Sequence, residues 1–350
     1  PEVFLWVLLP PLLFEAAFAI EWTEFARVGI SVGVFATVGV VISAAIASAV
    51  MLLVLHTPWP VAVLFGILVA ATDPVAVVAL FHRANVAPRL RTFVESESLL
   101  NDGTVVVLGR VVALLVASGS VSAAFVVSNF VSVSVGSLFI GAAVGLAGTL
   151  LTSRVDDYLV EATISLVVAY GSFALAQDLG LSGVLATVAA GVVLGNIGRR
   201  FGMSAQTREA VTLLWEFLAF VANSFVFLLL GAAVIPGRLW TILPDVLIGV
   251  LAALLGRAVV TYGLGAVVAF LFVEPRLRWQ SVLFWGGLRG ALPVVVALDL
   301  AEQVDAPSLP SLVLGVVFVS LIVQGLTLDP MLRRVFSERH TQVPKEFNAS

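Results

Sequence analysis

ATDPVAVVALF, residues 71–81, places a carboxylate beside a proline in the middle of an apolar run. The run extends over about 59 to 81, the length of a bilayer crossing. Pro74 has no backbone N–H to give and pushes Asp73 out of helical geometry, so a helix that breaks at this point is predicted. A break frees carbonyls such as that of Thr72 and points helix ends at the gap, which is how discontinuous membrane helices build ion sites. The plainer alternative is a proline kink, with Asp73 capping the half-helix that follows.

The rest of the chain fits a membrane setting. Of 350 residues, 60% are hydrophobic and 11% charged, too few charges to cover a water-facing surface, since a soluble domain carries about a quarter. Eleven apolar runs are read, among them 3–20, 28–55, 59–81, 99–117, 134–152, 243–272, 280–298 and 308–331. The fold class is therefore an all-α polytopic membrane protein, with a transmembrane domain over 1–331 and a tail over 332–350. The runs at 28–55 and 243–272 exceed what a bilayer requires, so tilted helices or interfacial ends are expected there.

Basic residues fall on every second connection. Arg27, Arg83, Arg89, Arg91, Arg154, Arg199, Arg200, Arg208, Arg276, Arg278, Arg333, Arg334, Arg339 and Lys345 share one side, and Arg238 stands alone on the other. By the positive-inside rule the C-terminus is cytoplasmic. The chain opens almost directly in an apolar run without Met, basic start or cleavage pattern, which reads as a chain lacking its first spans. There is no cysteine, and His56, His82 and His340 show no metal-ligand spacing, so thiolate and zinc chemistry have no support.

Ionisable residues at bilayer depth cost about 2.5 to 3.5 kcal/mol each on insertion scales, so each implies a partner or a pathway. Four places hold them. Glu15 lies in LLPPLLFEAAF (8–18) and Asp73 in the broken run. ESESLLNDGTVVVL (95–108) contributes Glu97, Ser98, Asn101 and Asp102, and WGGLRGALPVVVAL (285–298) contributes Arg289. Ser98 and Asp102 are four apart and share a helix face, as do Glu97 and Asn101. The first face offers oxygen ligands for a hard monovalent cation; the second can meet a positive partner. Alternatively, Glu97 and Ser98 are the solvated start of the helix. Gly286, Gly287, Gly290 and Pro293 around Arg289 favour a second interrupted helix. If Asp73 and Asp102 are committed to a cation, Glu97 is the acid left to pair with Arg289; the other reading is an arginine snorkelling to the interface. Arg110 and Arg257 also fall within the apolar runs and receive no role, a structural ion pair or snorkelling being favoured over transport.

With LLPPLLFEAA, ATDPVAVVALF, ESESLLNDGT, SGVLATVAAGVVLGN and GGLRGALP in this order, the chain resembles the monovalent cation:proton antiporter-1 family of sodium/proton exchangers of the NhaP and NHE type. The resemblance implies an inverted-repeat fold of thirteen spans with two crossed discontinuous helices, so that the first two spans are missing here. It further implies a plasma-membrane homodimer exchanging Na+ or Li+ for H+ by alternating access, in the service of pH homeostasis and without an organic cofactor. Asp73 and Asp102 would be the ion-binding carboxylates, Thr72 would add its carbonyl, Ser98 its hydroxyl and Glu15 a water-mediated contact. Glu97 and Arg289 would form a buried pair, and Asn101 beside Asp102 resembles the electroneutral one-for-one branch. A K+/H+ exchanger or an organic-anion carrier is the nearest alternative. An intramembrane aspartyl protease built on the two aspartates is disfavoured, because Leu-Leu-Asn-Asp is not the Gly-x-Gly-Asp context and a buried Arg289 has no task there.

Overall fold

A computed structural model describes residues 6–84, 86–119, 122–233, 240–272 and 277–336. Among these every regular element is helical, and eight helices are long and apolar enough to cross a membrane. The helices, long and short, are in chain order α1 (Leu9–Ala19), α2 (Trp22–Val54), α3 (Trp59–Leu68), α4 (Val75–Ala84), α5 (Pro88–Ser118), α6 (Ala123–Thr152) and α7 (Tyr158–Asp178). There follow α8 (Gly183–Phe201), α9 (Ala205–Ala233), α10 (Leu243–Leu271), α11 (Leu277–Trp285), α12 (Leu292–Gln303) and α13 (Leu309–Phe336). The pairs α3/α4 and α11/α12 are helices interrupted midway, each half too short to cross alone.

Several boundaries differ from those read in the sequence, for local reasons. The helix expected over 99–117 begins at Pro88, because Arg91 and Glu95 pair one turn apart (2.8 Å) and Glu97 is satisfied in the interior. The helix expected from 134 starts at Ala123, where the Ser122 hydroxyl accepts from the Phe125 amide (3.1 Å) and caps it. The last helix runs past 331 to Phe336, with Leu332 fully buried; residues 337–350 of the tail lie outside the described residues. The two overlong spans, α2 and α10, each contain a π-helical turn, at Phe35–Gly39 and Val259–Leu264.

Packing sorts the helices into two bundles. One comprises α1, α6, α7, α8 and α9; the other comprises α2 to α5 and α10 to α13, including both interrupted helices. The main contacts between them are those of α5 with α1, α6 and α8. Each bundle has a smaller apolar cluster of its own, with Phe14, Phe18, Leu194 and Trp215 in the first and Phe35, Phe81, Phe93 and Leu328 in the second, and the largest cluster runs across both, joining Leu13, Val188 and Val226 to Leu68, Val105 and Val316. The Arg89–Glu24 contact (3.5 Å) ties the start of α5 to the start of α2, so arginines 27, 89 and 91 gather at one end.

Lipid gives helices no hydrophobic reason to associate, so close backbone approach has to supply the contact. On α6, Gly141 lies against the backbone of Ala186 and Gly145 against Ala190, both on α8. A methyl at Gly141 would meet the Ala186 carbonyl oxygen, whereas one at Gly171 would meet nothing within 4 Å. Gly141→Ala is expected to destabilise by about 1 to 3 kcal/mol through overpacking, and Gly171→Ala to be neutral or stabilising. Thermal unfolding in detergent checks both.

Candidate functional site

The two interrupted helices meet at their breaks. The Asp73 amide donates to the Leu288 carbonyl (2.7 Å), and Asp73 Oδ1 accepts from the Val75 amide (2.8 Å), capping α4. Break and cap, alternatives in the sequence, are thus both present. Gly290 makes the crossing tight enough to work: a Cβ there would lie 2.6 Å from Asp73 Oδ2. Arg289 is 3% exposed and donates to the carbonyls of Ala71 (3.0 Å) and Ala253 (3.2 Å), while its amide donates to Ser320 Oγ (3.2 Å).

The polar faces of α5 close over this crossing. The Thr72 and Ser98 hydroxyls are 3.1 Å apart. Asn101, fully buried, donates from Nδ2 to Thr72 Oγ1 (2.8 Å) and to Glu97 Oε1 (3.3 Å), and its Oδ1 accepts from the Thr72 amide (3.4 Å). Glu97 receives a two-pronged contact from Arg257, Nη1 to Oε1 at 2.8 Å and Nη2 to Oε2 at 3.1 Å, and Arg257 Nε donates to the Leu283 carbonyl (3.0 Å). Asn101 therefore links a neutralised ion pair to the backbone of the break. Asp102, one residue on, makes no hydrogen bond to the described residues and faces a cavity of about 70 Å³. Thr72, Asp73 and Asp102 line that cavity together with apolar residues of α1 and with Asn223 and Val226 of α9.

The structure thus brings Thr72, Asp73, Ser98, Asn101 and Asp102 into one neighbourhood. Glu15 stands apart: half-buried on α1, it is absent from the cavity wall, and the charges that act on it are those of Glu95, Glu216 and Arg91, toward the arginine-rich end.

The family model described as "Sodium/hydrogen exchanger, transmembrane" matches residues 1–334. The chain belongs to this sodium/hydrogen exchanger family. It is 38% identical to the Na(+)/H(+) antiporter ApNhaP of Aphanothece halophytica over 96% of its own length, and 32% identical to the Na(+)/H(+) antiporter NhaP of Pseudomonas aeruginosa, again over 96%. It spans 65% of the length of the first relative and 82% of the second. The sodium proton antiporter MjNhaP1 of Methanocaldococcus jannaschii shares the fold at 20% identity, with a TM-score of 0.75 over 94% of this chain and 84% of that one.

One expected contact of this exchanger-family chain is corrected by the geometry. Glu97 pairs with Arg257 and not with Arg289. Arg289 is satisfied by carbonyls, two of its donors reaching the backbone at Ala71 and Ala253, so it needs no carboxylate. Arg257 was present in the sequence as a buried charge, but order along the chain does not say which of two arginines meets Glu97. Arg110 also finds partners, Gln177 Oε1 at 2.6 Å and the Leu181 carbonyl at 3.0 Å. Removing one member of a buried pair costs about 3 to 5 kcal/mol, because the other charge is stranded. Arg257→Ala is expected to lower the melting temperature sharply, and adding Glu97→Gln to restore part of the loss. Melting curves of the single and double variants decide it; a double variant no better than Arg257→Ala would refute the pairing.

Proposed function

We propose that this protein exchanges Na+ or Li+ for H+ across the plasma membrane, one for one, by alternating access. The observation that carries the reading is the pair of carboxylates, Asp73 and Asp102, lining a small cavity where two interrupted helices cross and where the bundles meet. The antiporter names of the relatives support the choice of ions. Asp102 and Asp73 bind the cation, with the Thr72 carbonyl and the Ser98 hydroxyl as further oxygens and Glu15 acting through water on the approach from the arginine-rich side. That side, with the C-terminus, is cytoplasmic, and the protein works as a homodimer through the bundle that lacks the interrupted helices.

Coupling needs only that Asp102 hold either a cation or a proton. Asp73 is held by its amide and by its capping bond, whereas Asp102 is unbonded and open to the cavity. Proton and cation then compete for one group. Apparent sodium affinity should fall about tenfold per pH unit on the acid side of the site's own pKa. On the alkaline side scarce protons slow the return, giving a bell-shaped profile at limiting sodium. Asp102→Asn keeps the shape but can neither titrate nor balance the cation's charge. In liposomes that variant should show no sodium-driven proton movement while staying monodisperse; comparing Na+, Li+ and K+ on the wild type separates the sodium reading from a potassium exchanger. Undiminished exchange by Asp102→Asn would overturn the assignment.

Alternating access requires the bundle carrying both interrupted helices to move against the other. Arg110 on α5 reaches Gln177 and Leu181 on the opposite bundle, at the end away from the arginines. The chain has no cysteine of its own. Cysteines placed at Arg110 and Gln177 and joined by a reducible bifunctional reagent are expected to stop exchange, and reduction to restore it. Full exchange by completely crosslinked protein would contradict the proposed movement.

A further inference from the structure

Four polar side chains line the cavity, and they are divided unequally between the bundles. Thr72, Asp73 and Asp102 ride on the bundle with the interrupted helices; Asn223 alone comes from the other, on α9. Around Asn223 the helix is otherwise apolar, from Phe217 to Leu230, apart from Ser224. Ser224 meets its own need by donating to the Phe220 carbonyl (2.7 Å). Asn223 does not: it is half-buried and makes no hydrogen bond to the described residues. An amide without a partner at the middle of a membrane helix carries a desolvation cost unless something in the cavity meets it.

Building on the exchange reading, we infer that Asn223 is a cation ligand supplied by the stationary side of the cavity, its amide oxygen completing the shell opened by Asp73 and Asp102. An amide presents an acceptor oxygen as well as two donors. With a cation between Asn223 and the carboxylates, the oxygen end faces the charge and the donors turn away. A hard monovalent cation prefers such oxygen ligands, and a neutral one adds coordination without adding charge that the proton would have to match. Because Asn223 belongs to the bundle opposite the other ligands, its contact exists only while the bundles stand as they do here. The site therefore binds the cation more tightly in this arrangement than after the bundles have shifted, and Asn223 sets the difference.

The test measures sodium-driven proton movement in proteoliposomes over a range of sodium concentrations, together with the sodium concentration that gives half-maximal thermal stabilisation of the detergent-solubilised protein. Asn223→Ala should raise the apparent KM for sodium about tenfold, the loss of one charge-assisted contact, and keep the maximal rate within about twofold. The half-stabilising concentration should rise by the same factor. Asn223→Ser, which retains an oxygen on a shorter arm, should fall between the two, and it replaces the alanine variant if that one does not fold. A KM and a stabilisation midpoint unchanged in either folded variant would overturn the inference, as would a fall in maximal rate alone, which marks a residue that serves movement and not binding. Failure of the exchange reading is distinguishable, since the wild type would then move no protons in response to sodium.

Discussion

The bond from the Asp73 amide to the Leu288 carbonyl is what allows two helices to stop in the middle of a membrane. At that depth no water accepts from a free amide or donates to a free carbonyl, and each group left open costs several kcal/mol. Two interrupted helices leave such groups on both sides, and they answer one another only if they cross closely, which Gly290 permits by having no side chain against Asp73. Arg289 completes the closure by donating to Ala71 and Ala253. A guanidinium suits this task, because its donors are fixed in a fork and it lacks acceptors of its own.

Glu97, Arg257, Asn101 and Thr72 form the second layer of the same construction. The Glu97–Arg257 pair is nearly inaccessible to solvent, its side chains 2% and 6% exposed. By cancelling each other they leave the cavity's charge to the two aspartates. Asn101 transmits the position of the pair to Thr72, so the residue next to Asp102 is occupied with support. In the sequence its amide mattered as a group that does not titrate; in the structure it also serves as a brace.

How much of this could be read in advance depended on whether the signal was local. The break at Asp73-Pro74 and the glycines around Arg289 are local, and both interruptions occur where those residues stand. The polar faces of α5 were legible from spacing by fours. The true start of α5 was not, because Glu95 and Glu97 look like a solvated helix end until their partners Arg91 and Arg257 are known. The partner of Glu97 was missed for a physical reason: elimination considered side chains, whereas Arg289 is satisfied by backbone oxygens, that of Ala71 at the break and that of Ala253 within α10. Asn223 gave no signal at all in the sequence, since one amide in an apolar run cannot be told from a residue facing a neighbouring helix.

The glycines along α6 have a mechanical consequence. Between most packed helices a layer of side chains absorbs small displacements by changing rotamer, which gives the joint some compliance. Where Gly141 and Gly145 of α6 meet Ala186 and Ala190 of α8, and Gly195 of α8 meets the backbone of Phe18 on α1, that layer is missing and backbone rests on backbone. Such joints have almost no atoms free to yield. Load on these helices is carried through the joints almost undamped, whereas α5 meets α8 where the Leu185 side chain lies against Gly103, a contact that keeps atoms free to yield.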